Sequence, residues 1–292
     1  MAGILLVFLH FLFLVIVHTA PAVSAARARI LIYSATTGFR HDSIPTAIAA
    51  LKAKEGEIDT DFVATEDPTQ FTDDNLAGFD AVIFLSTTGD VLDDAGQAAF
   101  QNYLNLGGNF VGIHSASDTL QNSTFYVKEL GASSLGQANF TVDVLVPSHP
   151  SVSMLPIAWT IADEAYNFKS DPRDFGAVVV LSANESSYIA WFQEHGAGVQ
   201  EGGVAGRSFY TSLGHLNETW QNDLFLSHVL GGISWVLQAN TTRGFNSSAR
   251  VGNPMSTISA SSSSLTAASV QPSDTQGSTS SYVFPKCNQF IC

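Results

Sequence analysis

Short, almost wholly apolar runs alternate with amphipathic stretches along this chain, and that alternation restricts its fold more than any other feature. Residues 29–33 and 81–85 are rich in β-branched and aromatic side chains, as strands buried on both faces must be. Further strands are expected at 61–65, 109–113, 140–146, 177–181, 188–192 and 207–213. Asp42, Ser43 and Pro45 open a helix with Ile44, Ala47, Ile48 and Leu51 on one face. Asp93 caps a second helix carrying Ala99, Phe100, Tyr103 and Leu104, and Gly107-Gly108 stops it. Residues 220–237 form a closing helix with Phe225, Val229, Ile233 and Val236 on one stripe. Strand and helix in alternation predict an α/β fold with a doubly wound, mostly parallel sheet. In such sheets ligands bind beyond the carboxyl ends of the strands.

That rule selects particular loops. The first strand runs into Ser34-Ala-Thr-Thr-Gly-Phe-Arg-His-Asp-Ser43, the fourth into His114-Ser-Ala-Ser-Asp118, and the strand at 207–213 into Gly214-His215. Three histidines, His41, His114 and His215, therefore meet at one sheet edge, and imidazole is the side chain most easily poised near neutral pH. Each could instead serve a turn or a helix cap. His228, on the closing helix, reads as a packing residue, and His195 as part of an exposed glycine-rich loop. Residues 107–114 resemble a nucleophile elbow, with His114 at its tip. Ser115 and Ser117 are the nearby hydroxyls, but the bracketing G-x-S-x-G pattern is absent, so serine-hydrolase chemistry lacks its usual signal. Asp163-Glu164 beside Tyr166 suits acid–base work on sugars, or equally a solvated turn. No His-Glu-x-x-His spacing exists, although His41, His114, His215 and a carboxylate could converge on a divalent metal such as zinc. Glycine-rich nucleotide fingerprints are missing as well.

The flanks differ in character. Residues 1–25 combine an apolar stretch over 4–17 with small residues at Val23-Ser24-Ala25, which reads as a secretory signal peptide. The stretch is too short for a membrane span. Export gives meaning to the Asn-x-Ser/Thr sequons headed by Asn122, Asn139, Asn184, Asn217, Asn240 and Asn246. The folded domain is expected over 26–240, followed by a disordered Ser/Thr-rich tail over 241–292 in which O-glycans are expected. Cys287 and Cys292 could close a small loop at its end. The net charge of −14 makes the chain a poor nucleic-acid binder.

Several of these motifs together point to a known family. The segments Gly38-Phe-Arg-His41, Gly112-Ile-His114 with Asp118-Thr119, His149-Pro150, Asp163-Glu164-Ala-Tyr166, Arg207-Ser-Phe-Tyr-Thr-Ser-Leu-Gly-His215 and Gly231-Gly-Ile-Ser-Trp235 resemble those of the ThuA-like, or trehalose-utilisation, family. The resemblance spans roughly residues 29–237. It implies a flavodoxin-like sheet related to class I glutamine amidotransferases, with His114 in the place of their nucleophilic Cys. Glutaminase activity is accordingly not expected. His215, with Glu218 three residues on, is similar to the catalytic His and Glu region of those enzymes. One departure is that residues 131–140 carry no His where family members often have one.

The resulting expectation is a secreted protein acting as a hydrolase or lyase on a saccharide or glycoside. His41, His114, Glu164 and His215 would supply acid–base or metal-assisted catalysis. Arg40, Asp118, His149, Tyr166 and Trp191 would bind substrate, with Tyr166 and Trp191 stacking on a sugar ring. The alternative is a non-catalytic carbohydrate-binding or cell-wall-associated glycoprotein.

Overall fold

The computed structural model describes residues 27–253, apart from 131–132, 135–136, 165 and 185–186. The expected signal peptide, the tail beyond Asn253 and the two cysteines lie outside the described residues. The elements are β1 (Ala28–Tyr33), α1 (Ile44–Ala53), β2 (Thr60–Thr65), α2 (Asp73–Leu76), β3 (Ala81–Leu85), α3 (Asp94–Asn105), β4 (Asn109–Ile113) and α4 (Thr124–Leu130). There follow β5 (Ser133–Ser134), β6 (Gln137–Val144), β7 (Ala158–Glu164), β8 (Asn167–Phe168), β9 (Val178–Asn184), β10 (Ser187–Gln193), β11 (Ser208–Thr211) and α5 (Asp223–Leu237).

One nine-stranded sheet carries the fold, in the order β2-β1-β3-β4-β11-β10-β9-β6-β7. From β2 to β11 all neighbours are parallel. Their order is that of a flavodoxin-like sheet, 2-1-3-4-5. From β11 to β7 all neighbours are antiparallel. The parallel arrangement expected from the sequence therefore holds for one half of the sheet. The other half is an antiparallel extension.

Alternation along the strands sorts the core into two layers. Ile30 and Ile32 face α1 and α5, joining Ala47, Leu51, Phe225, Val229 and Ile233. Leu31 and Tyr33 face the opposite way, joining Phe84, Phe100, Tyr103, Phe110 and Tyr126 between the sheet and α2–α4. Each fully buried side chain of this size contributes about 1.5–3 kcal/mol. α5 is tightly seated because Gly231 and Gly232 carry no side chain. A Cβ there would run into the Pro150 carbonyl and the Phe209 ring respectively.

The folded unit also reaches further than composition suggests. Thr242 bridges to Val251. Gly252 N donates to Ala77 O at 3.1 Å, and Asn253 donates to Asp80 and to Arg27 O. Residues 241–253, assigned to the tail by composition, are thus part of the domain. No helix among the described residues is long and apolar enough to cross a membrane.

Candidate functional site

The carboxyl ends of β1, β4, β7 and β11 deliver four side chains to one point. His41 lies in the loop between β1 and α1, His114 follows β4, Glu164 closes β7, and His215 follows β11. One ligand atom from each lies within 4.8 Å of all the others. His114 Nε2 is at the centre, 2.9 Å from His41 Nε2, 3.2 Å from His215 Nδ1 and 3.6 Å from Glu164 Oε2. His215 Nδ1 and Glu164 Oε2 are 3.4 Å apart.

The elbow geometry expected at His114 is present. Its φ is +56°, in the left-handed region that side chains rarely adopt. Tyr210 donates to the His114 carbonyl at 2.8 Å, and Tyr126 donates to Ala116 O at 2.7 Å, so the turn is pinned from below. Ser115 and Ser117 are both buried, and Ser117 Oγ is taken by Tyr210 at 2.9 Å. Neither hydroxyl is presented as a nucleophile.

The protonation pattern of the cluster follows from its partners. His114 Nδ1 lies 2.8 Å from Ser212 O, and a carbonyl can only accept. The proton therefore sits on Nδ1 and the Nε2 lone pair points into the cluster. His41 Nδ1 faces Ser115 Oγ at 3.4 Å. A proton on that nitrogen would turn the His41 Nε2 lone pair inward too. Burial is the first cause that pushes both imidazoles down, each to about 3. They are neutral at ordinary pH, the state a metal ligand needs. Glu164 Oε2 is buried without a hydrogen-bond partner.

Asp163 organises the loop beside this cluster. Its carboxylate accepts from Gly214 N at 3.0 Å, His215 N at 3.1 Å, Thr219 Oγ1 at 2.9 Å and Glu164 N at 2.8 Å. Burial nevertheless raises its pKa. Gly214, at φ +128°, turns its carbonyl to accept from Ser43 Oγ and Trp220 Nε1. β7 lies four strands from β11 in the sheet order. Asp163 still reaches the loop after β11, so the antiparallel half curls back over the carboxyl edge.

Tyr166 joins the site in a different role from the one expected. Its hydroxyl is 3.2 Å from both nitrogens of His114, with the rings 5.3 Å apart and 30° from parallel. An oxygen equidistant from both nitrogens sits over the ring face. Tyr166 is buried, so it packs on His114 and offers no face to a sugar. Burial pushes its phenol pKa up, and it stays neutral.

The other expected substrate contacts lie elsewhere. Trp191 is 1% exposed and packs on Tyr210 and Phe168, so it cannot stack on a ligand. Arg40 is directed at Glu66, with Nη2 2.6 Å from Oε1. Asp118 accepts from Gln121 Nε2. Glu218 is exposed. His149 is buried under α5, stacked on Phe192 with Trp235 tilted against it. Its Nδ1 lies 2.8 Å from Ser151 Oγ, and His228 contacts Ser151 O and Thr211 Oγ1 nearby. A residue the motifs did not single out stands at the rim. Phe39 is 67% exposed and touches His41 edge-on at 4.8 Å.

The buried pair His149 and His228 has a measurable consequence. Burial lowers both pKa values from 6.5 to about 4. Between those values the unfolded chain binds more protons than the folded one, so stability is lost as pH falls from 6.5 toward 4. The slope reaches about 1.4 kcal/mol per pH unit for each histidine. Thermal melts from pH 7 to 4.5 should show this loss, to which His41 and His114 add, and His228→Gln should make it less steep by the share of one histidine. An equally steep profile in H228Q would refute the assignment.

The chain matches the family model described as trehalose utilisation, ThuA, over residues 29–236. No curated protein sequence matches it. Among solved structures, a ThuA-like protein from Bacteroides uniformis superposes with a TM-score of 0.59 at 19% identity, covering 78% of this chain and 99% of that one. A ThuA-like protein from Parabacteroides merdae gives 0.57 at 18% identity, covering 73% and 90%. At these identities the structural likeness speaks for the fold.

Proposed function

The chain belongs to the ThuA, or trehalose-utilisation, family, and on that premise we propose that it is a secreted protein that acts on a saccharide or glycoside through a divalent cation, zinc in first place. His41, His114 and His215 would hold the cation, with Glu164 against it. The observation that carries this reading is the spacing of their ligand atoms. Bonds of about 2.1 Å in a tetrahedral zinc site place ligand atoms about 3.4 Å apart. Four of the six separations run from 2.9 to 3.6 Å, and all six lie within 4.8 Å. Glu164 Oε2 makes no hydrogen bond of its own and faces two imidazole nitrogens at 3.4 and 3.6 Å, and a cation among them would satisfy all three. Ser212 O and Ser115 Oγ supply the outer hydrogen bonds that orient ligating imidazoles. The net charge of −14 favours cations generally.

A bound cation would polarise an oxygen of the substrate or a water. In the catalytic reading the three histidines would hold the cation and leave a position open, and Glu164 would steer the oxygen there and take its proton. The saccharide class is supported by the family's description, and export by residues 1–25 together with the sequons. Asn122, Asn240 and Asn246 are exposed, as N-glycan attachment requires.

One observation favours the second reading, a non-catalytic carbohydrate-binding glycoprotein. Four protein ligands fill a tetrahedral shell, as structural zinc sites do. Saccharide binding without product formation would select it.

The metal test is direct. Protein expressed with added zinc should retain about one ion per chain. Chelation should lower the melting temperature by about 10 °C, since occupancy at a thousandfold excess over Kd is worth about 4 kcal/mol in a domain of this size. Re-addition of zinc should restore it. Failure to retain metal, with a melting temperature indifferent to chelator and zinc, would overturn the proposal.

A further inference from the structure

We propose that Phe39 is the stacking platform of this site, receiving the apolar C–H face of a pyranose ring at the mouth of the histidine cluster. The inference deepens the saccharide reading above and rests on it.

Three observations carry it. First, Phe39 is 67% exposed. Leaving such a ring in water forgoes about 2 kcal/mol of burial, so core packing does not explain its presence. Second, the ring is not adrift. Thr37 N and Gly38 N donate to Thr88 O at 2.9 and 3.3 Å, and Thr88 Oγ1 donates to Phe39 O at 2.8 Å. Thr36 also bridges to Thr88. The segment leading to Phe39 is therefore tied to the end of β3, and a pinned aromatic loses little freedom when it binds. Third, among the described residues the ring contact of Phe39 is with His41, edge-on at 83° between planes. A ring 67% exposed, met by its aromatic neighbour at a right angle, presents apolar surface to solvent directly beside a buried polar cluster. An apolar platform next to convergent polar groups is the usual composition of a small-ligand site. The aromatics first expected to stack, Trp191 and Tyr166, are both buried. Phe39 is the aromatic at the rim that a sugar can reach.

The experiment is calorimetric titration of trehalose and of cellobiose into the zinc-loaded full chain, wild type, Phe39→Ala and Phe39→Trp. Both sugars present pyranose C–H faces. F39A should weaken binding at least about fivefold, the scale of an aromatic contact. F39W should stay within about threefold of wild type, because it keeps a π face. Zinc content and melting temperature should be the same in all three, as expected for an exposed side chain. Equal affinity in F39A and wild type, or an F39W as weak as F39A, would overturn the stacking role alone. A zinc-loaded wild type that binds neither sugar would overturn the saccharide reading and this inference together.

Discussion

Replacing His114 by alanine is expected to abolish zinc binding while the domain stays folded. His114 Nε2 is the common neighbour of the other three ligand atoms, at 2.9, 3.2 and 3.6 Å. Without it, His41, His215 and Glu164 lose the atom that links them. Changes to groups behind the ligands typically cost 10–100-fold in metal affinity, so loss of the central ligand should exceed about a hundredfold. Turnover of any saccharide substrate should fall with it. The fold should tolerate the change because the elbow is held by Tyr210 and Tyr126 through backbone carbonyls. Relaxation of the left-handed turn at position 114 offsets part of the cost for His114→Gly, which makes that variant a useful control. Zinc titration followed by calorimetry decides the matter. Wild-type zinc affinity in H114A would mean that the cluster does not hold the cation.

The second large effect is expected on stability. Asp163→Ala removes one carboxylate that accepts from three backbone amides and the Thr219 hydroxyl. Those donors are then left buried without an acceptor, at about 1–3 kcal/mol each where no water enters. A total of about 3–5 kcal/mol is expected, in line with breaking other buried charged networks. For a domain of this size that is a fall of about 10 °C in melting temperature. Because the same carboxylate fixes the His215 backbone, zinc affinity should drop as well. Scanning calorimetry on the zinc-free protein isolates the folding effect, and a shift below about 2 °C would show that the loop holds itself.

The sequence made the parallel half of this fold legible because its strands are buried on both faces. Residues 81–85 and 109–113 coincide with β3 and β4, and Asp93 caps α3 through Gly96 N as its position implies. Polar residues just past such strands can be assigned to the sheet edge, which is how His41, His114 and His215 emerged together. The antiparallel half was harder to read. β7 alternates exposed and buried positions, and its sequence around Asp163-Glu164 could equally have been a solvated turn. Glu164 nevertheless joins the cluster, through a curl of the sheet that no local pattern encodes. Trp191 and His149 misled for a related reason. A ring looks the same in sequence whether it faces a ligand or the core, on a strand as at Trp191 or in a turn as at His149, and here both face the core. The limit of the domain is not legible in the sequence because residues 241–253 are mostly polar and are held mainly through backbone groups.

The curl of β7 has a consequence for when the site exists. His41 and His114 are 73 residues apart, and His114 and His215 are 101 apart. Glu164 belongs to the strand at the far end of the sheet order. Each pairing closes a long loop, and such contacts form late in folding. A half-folded chain therefore offers an ion only scattered single ligands, and the complete set appears when the last strand comes to rest. Ion uptake at the proposed site would therefore be a report of finished folding. On the proposed reading of an exported, cation-holding protein, the ion would come from the medium the chain enters, and the supply there would govern how much of the protein carries it.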